Sequence, residues 1–144
     1  MEQTFDVIAG CTVVFVEDEA LVRDIAVCEL EEHGFTVVEF DSADEALPYL
    51  SQHGGETCVV VTDVQMPGAL NGLQLVDIVS HLWPSTPLLV TSGGSLVDPR
   101  RLPPNARFLS KPWRPAEMVD RVAMLATHAL ATHALAGPSR APLS

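Results

Sequence analysis

Three carboxylates and a lysine stand at the ends of apolar runs in this chain. Glu17 and Asp18 follow the first run, Asp63 follows the third, and Lys111, the only lysine, follows the last. Clustered carboxylates repel one another and raise one another's pKa unless a cation joins them. Oxygen ligands in an incomplete cage suit Mg²⁺. Such a site would leave Asp63 ionised and nucleophilic, and Lys111 could then hold the oxygens of a phosphoryl group.

Apolar runs with the character of buried strands alternate with stretches of helical periodicity. The continuous β-branched runs favour strands that are covered on both faces. Predicted strands lie at 13–16, 35–40, 58–62, 88–91 and 106–110. Helical spacing predicts helices at 20–33 (Leu21, Ile25, Cys28), 42–52, around Leu75, Val79 and Leu82, and around Met118, Val122 and Leu125. This alternation predicts an α/β fold, a doubly wound five-stranded parallel sheet of the flavodoxin-like (βα)5 type.

Prolines modify two of the expected helices. Pro48 falls inside the second helix and should shorten or bend it. Pro99, Pro103 and Pro104 fall within residues 95–105, where a five-unit fold would place its fourth helix. We therefore expect that fourth helix to be short or irregular.

The predicted topology brings the polar strand ends together. In open parallel sheets, the reactive site lies at the carboxyl ends of the strands. Glu17, Asp18, Asp63 and Lys111 should therefore meet at one edge, together with Ser92 after the fourth strand. The sequence predicts one site there, built from three carboxylates, a hydroxyl and an ammonium.

Composition excludes several classes of protein. The 144 residues carry a formal net charge of −11 and include 47% hydrophobic residues. A basic surface for nucleic acid or an anionic membrane is not expected from this charge. Residues 1–63 contain 15 acidic residues and a single base, Arg23.

The amino terminus lacks the basic start of a signal peptide, and no apolar run approaches the roughly 20 residues of a membrane helix. A cytoplasmic protein is therefore expected.

The three cysteines give no metal or redox motif. No two of the three cysteines (Cys11, Cys28 and Cys58) have CxxC spacing, and each lies in an apolar run. We expect them to be small core residues rather than metal ligands or redox groups.

Two histidines near the carboxyl terminus, His128 and His133, are five residues apart, a spacing that does not place them on one helical face to share a metal ion.

Over about residues 11–125, the chain resembles a response-regulator receiver domain of two-component signalling (the CheY-like superfamily), in its single-domain form. The resemblance rests on five fragments in order: Glu17-Asp18, Asp63-Val64-Gln65-Met66-Pro67-Gly68, Asn71-Gly72, Thr91-Ser92-Gly93 and Lys111-Pro112-Trp113. The loop after Asp63 is somewhat longer than usual in the family.

The resemblance implies a role for each matched residue near the carboxylates. Asp63 would accept a phosphoryl group from a histidine kinase or a histidine phosphotransfer protein. Asp18 and Asp63 would bind Mg²⁺ directly, together with the backbone carbonyl of Gln65, whereas Glu17 would act largely through water. Gln65 is also expected to tune hydrolysis of the acyl phosphate through the attacking water.

The remaining matched residues would bind the phosphoryl group and transmit its presence. The resemblance implies that Ser92, the Gly93 amide and Lys111 contact the phosphoryl oxygens. It implies a cis bond before Pro112, which costs little only before proline. The phosphoryl group would then attract Ser92, and the movement of Ser92 would let Phe108 turn inward.

These inferences define an expected organisation and activity. Residues 1–10 would form a leader, 11–125 the receiver domain, and 126–144 an extended last helix and disordered tail. The protein is expected to be a phosphoacceptor switch rather than an enzyme. It would act by binding a downstream protein partner of unknown identity, by relaying the phosphoryl group onward, or by draining it from a kinase. No nucleic acid or membrane partner is expected, and the oligomeric state is left open.

Three alternatives stay open at this point. The chain could be the receiver fragment of a hybrid histidine kinase, or an interaction module of the same fold that works without phosphorylation. A flavodoxin-like nucleotide binder would share the fold. It should carry a phosphate-binding loop rich in Gly, Ser and Thr after the first strand, where this chain has Glu17-Asp18-Glu19.

Overall fold

Five strands and four α-helices alternate along the part of the chain that the computed structural model describes. These are residues 10–66, 68–94 and 97–136, with side chains as far as 128. The strands are β1 (Thr12–Val16), β2 (Thr36–Phe40), β3 (Thr57–Asp63), β4 (Leu88–Ser92) and β5 (Ala106–Ser110). The helices are α1 (Ala20–Glu32), α2 (Ala43–His53), α3 (Gly72–Leu82) and α4 (Pro115–Ala136). The predicted leader, apart from Gly10, and residues 137–144 of the predicted tail lie outside the described residues.

The strands form a single parallel sheet in the order β2-β1-β3-β4-β5. This confirms the predicted doubly wound α/β fold. β1 and β3 occupy the middle, so the strands that end beside Glu17 and at Asp63 are direct neighbours. Because all strands run the same way, their carboxyl ends share one edge of the sheet.

Alternate residues of each strand enter two separate hydrophobic cores, one on each face of the sheet. The first core packs β1 and β3 residues such as Phe15 and Val61 against α1 and α4. The second packs Val14, Val60 and their neighbours against α2 and α3. Two-sided burial explains why the strands read as continuous apolar runs rather than as alternating ones.

Local sequence signals account for the helix boundaries. Ser42 caps α2 by accepting a hydrogen bond from the Glu45 amide at 3.2 Å. Asn71 and Gln74 form a capping box at the start of α3. Gly34, with φ of +98°, ends α1 in the left-handed region that favours glycine.

The prolines affect the two expected helices differently. Pro48 does not shorten α2, because five residues follow it before the helix ends at His53. Between β4 and β5, the described residues form only a short 3₁₀ turn, Pro99–Arg101, as the prolines there predicted. Asp98 caps this turn by accepting the Arg100 amide at 3.0 Å.

The expectation that the three cysteines are small core residues is confirmed for Cys11, which is buried, and wrong for Cys28, which is exposed. Cys11 and Cys58 lie in the first core, but their sulfur atoms are joined in a disulfide between β1 and β3. Cys28 is exposed, as are Leu21 and Ile25 on the same face of α1. The buried face of α1 is instead formed by Ala26, Val27 and Leu30.

Among the described residues, no helix is both long and apolar enough to cross a membrane.

Candidate functional site

Glu17 is the most deeply buried acid at the carboxyl edge of the sheet. It directly follows β1 and has a relative exposure of 1%. Its amide donates to the Phe40 carbonyl at 3.0 Å, and its own carbonyl accepts from Arg23 Nη1 at 2.7 Å. Its Oε2 accepts the Glu19 amide at 3.1 Å. The backbone around Glu17 is therefore fixed by β2 and α1, and its carboxylate points into the site rather than into solvent.

Asp63 ends the neighbouring strand β3 and is also buried. Its Oδ1 accepts the Val64 amide at 2.7 Å, which leaves Oδ2 to face the other charged groups. The Asp63 carbonyl accepts from the Thr62 hydroxyl at 2.9 Å. Gly72, at the start of α3, packs so closely on that carbonyl that a Cβ there would collide with it. The acid is thus held between its own strand and the next helix.

Lys111 joins the two buried carboxylates. Its Nζ lies 2.8 Å from Glu17 Oε1 and 2.9 Å from Asp63 Oδ2, and 3.8 Å from Glu19 Oε1. The Lys111 amide donates to the Ser92 carbonyl at 2.9 Å, and the following peptide bond to Pro112 is cis, as the resemblance implies. Lys111, which directly follows β5, therefore reaches across β4 to the ends of β1 and β3.

Burial and pairing shift the pKa values of both partners upward. Burial raises the pKa of the Glu17 carboxyl, and repulsion by Asp63 adds to this, while hydrogen bonds from Lys111 and Glu19 oppose it without cancelling it. Burial by itself would lower the pKa of Lys111, but its hydrogen bonds with Glu17 and Asp63 outweigh burial and raise the pKa. Lys111 therefore stays positively charged at neutral pH. Its single positive charge balances only part of the negative charge of the carboxylate cluster.

The three carboxylates are close enough to share an ion. Glu17, Asp18 and Asp63 each offer an oxygen atom, and these oxygens lie within 4.8 Å of one another. Asp18 is the most exposed of the three and stands at the mouth of the cluster. A set of carboxylate oxygens, partly open to water, matches what Mg²⁺ prefers. The donor set therefore fits the cation that the resemblance implies.

The loop between Asp63 and α3 is fastened to α2 by Asp44. Asp44 Oδ2 accepts the Ala69 amide at 2.8 Å, and Oδ1 accepts the Leu70 amide at 3.0 Å. Gly68, with φ of +116°, passes so close to this carboxylate that a Cβ there would collide with it. At the base of the loop, the Gly72 amide donates to the Val64 carbonyl at 2.9 Å. The loop that carries Gln65 is therefore held in place by hydrogen bonds, both to Asp44 of α2 and between its own two ends.

The other predicted site residues lie around this cluster. Ser92 is buried at the end of β4, with its hydroxyl 3.2 Å from the Gly93 carbonyl. Gly93 lies against Lys111, with no side chain between them. Gln65 is exposed on the loop after β3. Phe108, three residues before Lys111, is half-buried on β5 and packs against the second core.

Sequence reasoning assigned no role in the site to four of its residues. Glu19 and Arg23 surround Glu17, Asp44 fastens the loop, and Gly72 packs on Asp63. Arg23 carried a visible signal, since it is the only base among the first 63 residues. Asp44 carried none, because its partners are backbone amides 25 and 26 residues away.

Comparison with known proteins identifies the class that this fold and site define. The family model of the response regulator receiver domain matches residues 13–123, so the chain belongs to this family. A relative, the sensor kinase CckA of Brucella abortus (strain 2308), is 34% identical over 125 residues, which are 85% of this chain and 13% of that kinase. The response regulator protein FleR of Pseudomonas aeruginosa is 31% identical over 121 residues, 82% of this chain and 24% of FleR. The chain spans less than a quarter of the length of either relative.

Solved structures have the same architecture. The receiver domain from the hybrid histidine kinase CckA is 27% identical, with a TM-score of 0.69, and the match covers 80% of this chain and 98% of that one. A response regulator receiver protein from Sinorhizobium medicae WSM419 has a TM-score of 0.76 at 24% identity, covering 83% and 97% of the two chains. The fold is therefore that of receiver domains.

Proposed function

We propose that this receiver domain takes a phosphoryl group onto Asp63 from a phosphohistidine on a histidine kinase or a histidine phosphotransfer protein. The observation that carries the proposal is the position of the Lys111 ammonium, within 2.9 Å of both the Asp63 and Glu17 carboxylates. A single cation between two buried acids forms a site that can exchange the aspartate–lysine contact for contacts with a phosphoryl group.

The chain's own residues would perform the transfer as follows. An Asp63 carboxylate oxygen attacks phosphorus, the P–N bond to the imidazole breaks, and the imidazole nitrogen regains a proton. Lys111 stays in contact with the phosphoryl oxygens and stabilises their charge. A Mg²⁺ ion held by Asp18, Asp63 and the Gln65 carbonyl would neutralise further charge on the phosphoryl group. Glu17 would act on that ion largely through water and hold Lys111 in place.

The response to phosphorylation would pass through β4 and β5. A phosphoryl group adds nearly two negative charges beside the Ser92 hydroxyl and the Gly93 amide. Ser92 would turn from the Gly93 carbonyl toward the phosphoryl group, and Phe108 would then move inward from its half-buried position. The surface around β5 changes as a result, and a downstream protein partner reads that change. Gln65 would order or exclude the water that hydrolyses the acyl phosphate.

The experiment is phosphorylation by a small donor, followed by measurement of the intact mass. The chain is incubated with acetyl phosphate and Mg²⁺, and the mass is compared with that of Asp63→Asn. Asp77→Asn, which changes an exposed acid on α3, is the matched control. We expect one phosphoryl increment in the parent and in Asp77→Asn, none in Asp63→Asn, and none in the parent when EDTA replaces Mg²⁺.

A lack of any increment in the parent would overturn the proposal and favour an interaction module that works without phosphorylation. An equal increment in Asp63→Asn would place the acceptor elsewhere. The relative CckA is named a sensor kinase, and its receiver domain is named as part of a hybrid histidine kinase. This observation supports a variant of the proposal, in which the chain is the receiver part of a longer kinase and takes the phosphoryl group from that kinase. The relative FleR, named a response regulator protein, supports the other variant equally.

A further inference from the structure

The disulfide lies at the end of the sheet opposite to the carboxylates. Cys11 directly precedes β1, and Cys58 is the second residue of β3, with 5.9 Å between their Cα atoms. The pairing of the two strands is irregular here, since Thr12 pairs with Thr57 but Val13 pairs with Val59. Cys58 is therefore the extra residue of a β-bulge, which leaves it outside the regular ladder. The bulge and the disulfide occupy the same place on β3.

The two cysteine residues differ in their exposure to solvent. Cys11 is buried in the first core, with 6% relative exposure, whereas Cys58 is only half-buried. A thiol from solution therefore reaches Cys58 first, and Cys11 is the leaving group. Since both side chains contact the first hydrophobic core, the two thiols of the reduced pair would also be accommodated there.

The third cysteine does not compete for the pair. Cys28 is exposed on α1, and its Sγ lies 3.7 Å from Glu32 Oε2. The charge of Glu32, together with Glu29 and Glu31, raises the pKa of the Cys28 thiol. Because the thiolate is the attacking species in disulfide exchange, Cys28 is a poor nucleophile toward Cys58 at neutral pH.

We propose that Cys11 and Cys58 form a reversible redox site that glutathione-type thiols open and glutathione-type disulfides close. In opening, a small thiolate attacks Cys58 Sγ, the bond between the two cysteines breaks, and Cys11 leaves as a thiolate that takes up a proton. A second small thiol attacks the sulfur of the first, and Cys58 is released as a thiol. Two small thiols thereby become one small disulfide, and their two electrons reduce the protein pair. Closure is the reverse reaction.

The redox state is expected to change the stability of the chain rather than the carboxylate site. Cys11 and Cys58 are separated from Glu17 and Asp63 by the length of β1 and β3, about 17–20 Å at the usual rise per residue. The disulfide closes a loop over a sequence separation of 47 residues, which restricts the unfolded chain. Reduction therefore lowers the melting temperature, by about 10 °C.

The test counts reactive thiols and measures melting in the same samples. The full chain is equilibrated with either oxidised or reduced glutathione, the unfolded protein is alkylated with iodoacetamide, and the intact mass is recorded. We expect one adduct after oxidation and three after reduction, with the melting temperature about 10 °C lower in the reduced sample. Cys28→Ser is the matched control and should give no adduct and two adducts, with the same shift in melting temperature.

Two results would overturn this proposal. Three adducts after equilibration with oxidised glutathione would mean that the pair does not close. Equal melting temperatures in the two samples would mean that the pair does not restrain the chain. Because neither measurement uses acetyl phosphate or Mg²⁺, failure here is distinct from failure of the proposed phosphorylation of Asp63.

Discussion

At the scale of single residues, the site depends on where one ammonium is placed. Lys111 is the only lysine of the chain, and it contacts two acids that come from different strands. Because Glu17 and Asp63 are almost fully buried, their charges are poorly compensated by water. Lys111 therefore both compensates the cluster and, in the proposed reaction, binds the phosphoryl oxygens.

Lys111→Met keeps the length of the side chain and removes its charge. We expect the rate of phosphoryl uptake from acetyl phosphate at saturating Mg²⁺ to fall about 10²-fold, the usual cost of losing one group that stabilises developing charge. Arg114→Met removes an exposed cation three residues later and should leave the rate unchanged. Equal rates in the parent and Lys111→Met would show that the ammonium has no part in the transfer.

The raised pKa of Glu17 predicts how stability depends on pH in the absence of metal. The folded chain holds a proton on Glu17 more tightly than the unfolded chain does. The stability from this group is thus fully present below the ordinary glutamate pKa and is lost as the pH rises through the raised pKa. Lys111, whose pKa is also raised, changes its charge only at alkaline pH and does not titrate in this window.

We therefore expect a pH-dependent difference between the parent and Glu17→Gln. As the pH is lowered from neutral toward the ordinary glutamate pKa, the unfolding free energy of the parent should rise relative to that of the variant, which cannot titrate at residue 17. Urea unfolding in EDTA at several pH values measures this difference. A difference that stays constant or shrinks on acidification would contradict burial as the cause of a raised Glu17 pKa.

Sequence reasoning located the charged residues of the site but not their individual contacts. Their places at strand ends were predictable, because parallel strands bring those ends to one edge. Which of Glu17 and Asp18 contacts Lys111 was not predictable, since it depends on the turn after β1. That turn is set by Arg23 and Glu19, which bind the backbone and side chain of Glu17.

At the scale of secondary-structure elements, the loop after β3 owes its shape to a neighbouring helix. Asp44 lies in the first turn of α2 and accepts two amides from the loop. The same loop carries Gln65, whose carbonyl is a proposed ligand of the cation. A helix on one face of the sheet thus positions backbone at the site.

Asp44→Ala should lower the unfolding free energy by about 2 kcal/mol, since it removes the acceptor of both loop amides. It should also raise the Mg²⁺ concentration at which phosphoryl uptake is half-maximal, because the Gln65 carbonyl is no longer held. Glu45→Ala, in the same helical turn but exposed, is the control. If Asp44→Ala were as stable as Glu45→Ala and needed no more Mg²⁺, the loop would not depend on α2.

The boundaries of the elements were more predictable than their orientation. Caps and glycines near Ser42 and Gly34 mark helix ends by local chemistry alone, and the strands appear as apolar runs. The buried face of α1 was not predictable in this way. Leu21 and Ile25 have helical spacing, but they lie on the exposed side, because the tertiary fold directs Ala26, Val27 and Leu30 to the core.

At the scale of the whole molecule, the sheet separates two cores that are filled by different helices. Leu30 lies in the first core with 0% relative exposure, whereas Leu21 on the same helix is 73% exposed. We expect Leu30→Ala to lower the unfolding free energy by about 3 kcal/mol, from lost burial and the cavity left behind. Leu21→Ala should change it by less than about 0.5 kcal/mol. Urea unfolding of both variants measures this, and similar losses would contradict the assignment of the buried face.

The disulfide is the feature of the whole molecule that the sequence did not reveal. Its two cysteines are 47 residues apart, and no local motif links them. Their proximity follows only from the parallel pairing of β1 with β3 and from the bulge at Cys58. Long-range contacts of this kind depend on the register of the strands, which a single sequence does not specify to the residue.

In the proposed reaction, Asp63 is the residue that receives the phosphoryl group. Borohydride reduces an acyl phosphate of aspartate to homoserine, so treatment of the acetyl phosphate-labelled chain followed by peptide mapping marks the acceptor directly. Homoserine is expected at residue 63 and at neither residue 18 nor residue 77, and it should not form when Mg²⁺ is withheld. Homoserine at another aspartate, or its absence from a chain that has gained the phosphoryl mass, would contradict the assignment of Asp63 as the acceptor.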